Sequence, residues 1–177
     1  MTGTPPHSAR RLQAQPLTAD AFAPFGSIAS VGSAGGRPVN QNRARRIPGL
    51  GDLQHAPAAA RPVLDIYRIT PSSLPFAVSC FERHALTSQA FVPLDCGRLL
   101  IVVAPDDADG GPDPDRAVAF TGDAGTIVHY RAGAWHSPLV ALDQTATLAM
   151  LMWEAGDARD CEELAPARAI EIVAASA

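Results

Sequence analysis

Glycine and proline interrupt this chain so often that few stretches are long enough to make a helix. From residue 27 onward, short runs of β-branched and aromatic residues are divided by Gly, Pro, Asp and Ser, and the 14 glycines and 16 prolines leave little uninterrupted sequence between them. Strands are predicted at residues 63–69, 76–82, 89–93, 98–104, 117–121, 126–130, 138–142, 147–153 and 169–173. A spacing of about 8–12 residues between such runs is the pattern of a sandwich or small barrel, and no helical stretch of βαβ length separates them. The chain is expected to be all-β, without an internal repeat.

Residues 1–16 carry prolines and polar residues with little periodicity and read as a flexible N-terminal tail. A short helix is expected within residues 17–22, with Thr18 as its N-cap and Asp20 near the positive end of its dipole, stopped by Pro24 and Gly26. Residues 17–177 then form a single domain, and a chain of 177 residues with 47% apolar content can build a core without disulfides. All 14 basic residues are arginine, so Schiff-base and P-loop chemistry, which need lysine, are excluded. The net charge of −4 argues against nucleic acid as a partner, because phosphate binding wants a clustered positive surface.

Cys80, Cys96 and Cys161 have no CxxC spacing and suit buried thiols in a reducing compartment. No apolar run reaches the roughly 18–20 residues that span a bilayer, and no apolar stretch follows Arg10 and Arg11 to make a secretory signal. A cytoplasmic protein with no membrane partner is expected. Between residues 104 and 117 lie Asp106, Asp107, Asp109, Asp113 and Asp115, but no closing glutamate, so the segment reads as a solvated hairpin loop rather than a calcium site.

Three of the five histidines fall in or beside predicted strands: His84, His129 and His136. Glu82-x-His84-x4-Gln89 places polar side chains where cupin barrels carry His-x-His-x4-Glu, and strand alternation puts Glu82 and His84 on one face. Gly125-x5-Arg131-x-Gly133-x2-His136 follows the second cupin pattern, with arginine in the proline position. The resemblance implies a cupin-like β-barrel, or double-stranded β-helix, in which Glu82, His84, Gln89 and His136 converge at the mouth. That set would hold a divalent metal ion weakly, since glutamine is a neutral ligand.

The segment Glu82-Arg83-His84-Ala85-Leu86-Thr87-Ser88-Gln89-Ala90-Phe91-Val92-Pro93-Leu94 closely resembles a block of the ureidoglycolate lyase family, and residues 130–139, with Gly133, Trp135, His136, Pro138 and Leu139, are similar to a second. Residues 17–26, 39–46 and 66–68 are similar to further family segments in the same order. Ala85, Arg131 and Ser137 depart from the family pattern.

The resemblance implies cleavage of ureidoglycolate to glyoxylate and urea, by a homodimer, without an organic cofactor. Such a reaction needs a cation for the substrate carboxylate, a base for its hydroxyl and an acid for the departing nitrogen. Arg46 and Arg68 match family arginines and suit the first task; His136 and His84 suit proton transfer, with Tyr130 beside them. Asn40, Gln89 and Trp135 are expected to contact the substrate. The alternatives are another metal-dependent cupin enzyme, such as an isomerase or dioxygenase, and a noncatalytic small-molecule-binding cupin. An assay for urea and glyoxylate separates the three.

Overall fold

A computed structural model describes residues 9–48 and 53–174. In chain order the elements begin with β1 (Arg10–Gln13), β2 (Gln15–Pro16), α1 (Ala19–Phe22), β3 (Gly26–Ser30), β4 (Arg37–Val39), β5 (Ala44–Arg46) and β6 (Arg61–Ile69). They continue with β7 (Phe76–Val78), β8 (Phe81–Arg83), β9 (Gln89–Asp95), β10 (Leu99–Ala104), β11 (Val118–Gly122) and β12 (Thr126–Tyr130). The last are β13 (Trp135–His136), β14 (Val140–Ala141), β15 (Ala146–Glu154), β16 (Glu162–Leu164) and β17 (Ile170–Val173). The all-β expectation holds, and the single described helix is the four-residue α1, capped where expected by Thr18 Oγ1, which accepts from the Ala21 N–H.

Two sheets face each other as a cupin-like barrel. One runs β16-β8-β13-β10-β11-β2, with β14 also paired to β10, and the other runs β3-β12-β9-β15-β6. Alternation along the strands decides what each sheet buries. Leu99, Ile101 and Val103 of β10 point between the sheets, where they meet Phe91, Val128, Leu148 and Met150. Leu100, Val102 and Ala104 point the other way, into a second core closed by Ile170 and Ile172. β10 is thus buried on both faces, which is why its sequence, LLIVVA, is apolar throughout. The side chain of Phe22 carries α1 into the first core, with its ring 5.8 Å from Tyr130 and 6.1 Å from Phe120.

The N-terminal reading is corrected from Arg10 onward. β1 pairs in parallel with β17, and β2 pairs with β11. Four-residue and two-residue strands carry too little alternation to be seen in sequence, and these take their register from the sheets they join. Residues 1–8 of the expected tail lie outside the described residues. β3, β4, β5, β13 and β16 also went unforeseen. The run predicted at 76–82 is two strands in different sheets, and the run at 138–142 is only the two-residue β14. Residues 105–117 form the expected loop, closed by a bridge between Asp106 and Pro112.

Candidate active site

Two cross-strand pairs, one from each facing sheet, build the centre of the barrel mouth. His136 of β13 stands opposite Glu82 of β8, and Tyr130 of β12 stands opposite Gln89 of β9. Opposite residues in antiparallel strands share a face, so each pair projects inward together. The pairs meet at His136. Its ring stacks on Tyr130 at 4.0 Å and 12°, its Nε2 lies 3.1 Å from Gln89 Oε1 and 3.3 Å from Glu82 Oε1. His84, one residue beyond β8, brings its ring to 5.7 Å from His136. The turn that leads back into β13 needs Gly133, whose φ of +76° is left-handed and whose N–H is bonded to the His84 carbonyl.

Backbone carbonyls set the orientation of both imidazoles. His84 Nδ1 donates to Asp160 O at 2.7 Å and His136 Nδ1 donates to Ala134 O at 2.8 Å. A carbonyl only accepts, so Nδ1 carries a proton in each ring, and in the neutral His84 the Nε2 lone pair is left bare. His84 Nε2 is buried without a hydrogen-bond partner, and so is the Tyr130 hydroxyl. At His136, by contrast, Nε2 faces the Gln89 amide and the Glu82 carboxylate, so a proton on it has an acceptor to be shared with.

Burial works on these groups unequally. It lowers the His84 imidazole below its ordinary range, and the neighbouring His136 adds to this against the pull of the Asp160 carbonyl and Glu82. Burial pushes the Glu82 carboxyl up, but its hydrogen bond to His136 and the two imidazoles outweigh this and hold it below its usual value. Burial, helped by Glu82, raises the Tyr130 hydroxyl far above the ordinary tyrosine range, so it stays protonated. A neutral histidine, an ionised carboxylate and a protonated phenol therefore share one buried pocket.

A cavity of about 470 Å³ reaches this cluster at Glu82, and its lining also includes Tyr67, Arg68, Thr70, Phe91 and Leu139. Arg68 lies at its rim, exposed. Trp135 does not wall it: adjacent to inward-facing His136 on β13, it points the other way into the second core, fully buried, with Nε1 donating to Gly110 O at 3.1 Å. The Arg83 guanidinium lies over its ring at 4.4 Å and also donates to Gly110 O. Asn40 and Arg46 belong to the β4–β5 hairpin, where Asn40, Gln41 and Asn42 turn through three successive positive φ angles. Both are exposed and neither lines the cavity.

Two residues at the mouth were not singled out from the sequence. Tyr67 of β6 sets its ring edge-on to Phe91 at 5.4 Å, and burial and then Glu82 raise its hydroxyl above the ordinary value. An inward phase on a strand next to Arg68 was the available signal. Cys161 lies by Glu82 and Glu163, with potential ligand atoms of the three within 4.8 Å of one another, and its thiol is pushed up to about 11 by burial and by Glu82. Glu82, His84 and His136 make the corresponding buried trio, also within 4.8 Å. Cys96 is buried and Cys80 half-buried, and all three thiols are free.

This combination defines a cupin-like barrel enzyme acting on a small polar molecule. Residues 9–173 match the family model described as ureidoglycolate lyase, and the chain belongs to that family. It is 36% identical over 154 residues to "Ureidoglycolate lyase" of Burkholderia mallei, covering 87% of this chain and 88% of that one. With the protein of the same name from Brucella melitensis it shares 39% identity over 133 residues, 75% of this chain and 77% of the relative. Among solved structures it is similar to a dTDP sugar isomerase from Desulfovibrio desulfuricans, at 15% identity and a TM-score of 0.46, over 81% of this chain and 83% of that one. No helix among the described residues is long and apolar enough to cross a membrane.

Proposed function

We propose that the barrel mouth is the active site of a ureidoglycolate lyase, which splits ureidoglycolate into glyoxylate and urea in the breakdown of allantoin and recovery of purine nitrogen. The unpartnered, buried Nε2 of His84 beside the Glu82–His136 pair carries this reading. The substrate carboxylate docks on the two-donor fork of Arg68 at the rim. His84, held neutral with a bare nitrogen, takes the proton from the carbinol hydroxyl as the carbon–oxygen double bond forms. The carbon–nitrogen bond breaks with its electron pair leaving on nitrogen, which takes a proton from His136 Nε2, the position shared with Glu82. Tyr130 and Gln89 fix the plane of the His136 ring, which favours transfer along one direction.

Glu82, His84 and His136 also fit a divalent cation, since two imidazoles anchored through Nδ1 to backbone carbonyls and one carboxylate are a donor set such ions accept. Bound there, an ion would supply Lewis-acid polarisation of the substrate oxygen. The same reading takes the protein as a cytoplasmic homodimer. Three free thiols support the reducing compartment. Leu64 and Ile66, on one face of the edge strand β6 and 67% and 57% exposed, support self-association.

Incubation of the protein with ureidoglycolate, with glyoxylate, urea and ammonia all measured, tests the assignment. Equal release of glyoxylate and urea without ammonia is expected. Ammonia as the nitrogen product would indicate an amidohydrolase and sink it.

A further inference from the structure

The cavity in front of Glu82 has two electrostatically different ends. On one side stands Arg68, exposed at the rim, for which the described residues offer no ion-pair partner. On the other, Tyr67 dips toward the barrel, its ring fixed edge-on against Phe91, and its hydroxyl feels the charges of Glu82, Asp65 and Glu154. An anionic group is repelled from that side. A neutral group that offers N–H donors to a carboxylate and a carbonyl oxygen to a hydroxyl is matched there, because Glu82 accepts and Tyr67, whose hydroxyl makes no hydrogen bond to any described residue, donates.

We infer that Tyr67 and Glu82 form the ureido-binding end of the cavity, with the Tyr67 hydroxyl donating to the urea carbonyl oxygen and Arg68 holding the opposite, carboxylate end. This deepens the lyase reading and rests on it for the identity of the ligand. It gives the two ends of one substrate separate recognition elements on adjacent residues of β6, both of which line the cavity. Placed so, the Tyr67 hydrogen bond strengthens as the carbon–nitrogen bond breaks, because the departing nitrogen shares its electron pair with the carbonyl oxygen.

The two products serve as separate probes. Urea and glyoxylate are titrated individually, by ligand-observed NMR, into wild-type protein and into the Tyr67→Phe and Arg68→Ala variants. Tyr67→Phe keeps the ring on Phe91 and removes only the hydroxyl, so the fold is expected to survive, which circular dichroism checks. Urea binding should weaken by about 3- to 10-fold in Tyr67→Phe with glyoxylate unchanged. Arg68→Ala should do the reverse, by about 10-fold or more. Unchanged urea affinity in Tyr67→Phe overturns the inference, as does an equal loss for both ligands, which would make the hydroxyl a general shaper of the cavity. Because these titrations need no turnover, a protein that fails to cleave ureidoglycolate defeats the lyase reading while the titrations still decide on Tyr67.

Discussion

The loop at 105–117 and the barrel mouth are both crowded with polar side chains, yet they use them in opposite ways. In the loop the carboxylates of Asp107 and Asp113 are taken up locally. Asp107 Oδ1 receives the N–H groups of Asp109 and Gly111 at 2.9 and 2.8 Å, Asp113 Oδ1 receives those of Asp115 and Arg116, and Asp113 Oδ2 pairs with the Arg116 side chain at 2.6 Å. At the mouth, the His84 ring is anchored on one side and left open on the other, and its Nε2 and the Tyr130 hydroxyl are buried with nothing to bond. A density of polar residues thus marks neither structure nor function. Hydrogen-bonding capacity that is buried and unspent, beside a cavity, marks the second, because leaving it so costs about 1–3 kcal/mol per group.

The sharpest way to break this contrast is to remove the residue where the two cross-strand pairs meet. His136→Ala should lower turnover by about 10² to 10⁴ while the fold persists, read by single-turnover kinetics alongside melting curves. Near wild-type turnover in a folded variant would make the mouth another satisfied polar cluster, no different from the loop. A change in the loop should do the converse. Asp113→Ala removes acceptors for two backbone N–H groups and should cost about 1 kcal/mol, lowering Tm by about 2–4 °C with kcat unchanged.

The smallest effect sharpens the rule. His129 on β12 also buries an unpartnered Nε2, while its Nδ1 lies 3.1 Å from Ser27 Oγ, but strand alternation turns it away from the barrel. Burial lowers its imidazole, so the unfolded chain takes up the proton first as pH falls, and stability drops once pH goes below the ordinary value of about 6.5. His129→Gln should flatten the dependence of Tm on pH between about 7 and 5 and leave kcat alone. A loss of turnover would show that an open nitrogen matters even without a cavity in front of it.

Much of the mouth was legible because strand phase is legible. Glu82 and His84 differ by two residues, and the structure places both with Gln89 and His136 in one cluster. The same phase argument, applied to Trp135, would have turned it away from His136, but β13 has only two residues and shows no alternation to read. β1 and β2 were invisible for the same reason: their order comes from partners more than a hundred residues away. Asn40 and Arg46 were located by similarity of sequence, which does not say how far a hairpin stands from a cavity. Tyr67 looked like one more strand aromatic, and only the closeness of Glu82 distinguishes it.

The carbonyl of Gly110 gives the loop a further importance. Arg83 and Trp135 are the outward neighbours of Glu82 and His136, and both end on that one oxygen, at 3.0 and 3.1 Å. The gap between carboxylate and imidazole is therefore gauged from behind, as a caliper is set by its screw rather than by its tips. An engineer wishing to retune the spacing of the reacting groups by tenths of an ångström would leave the mouth untouched and adjust the peptide at Gly110, and any insertion meant to be silent belongs elsewhere in the loop.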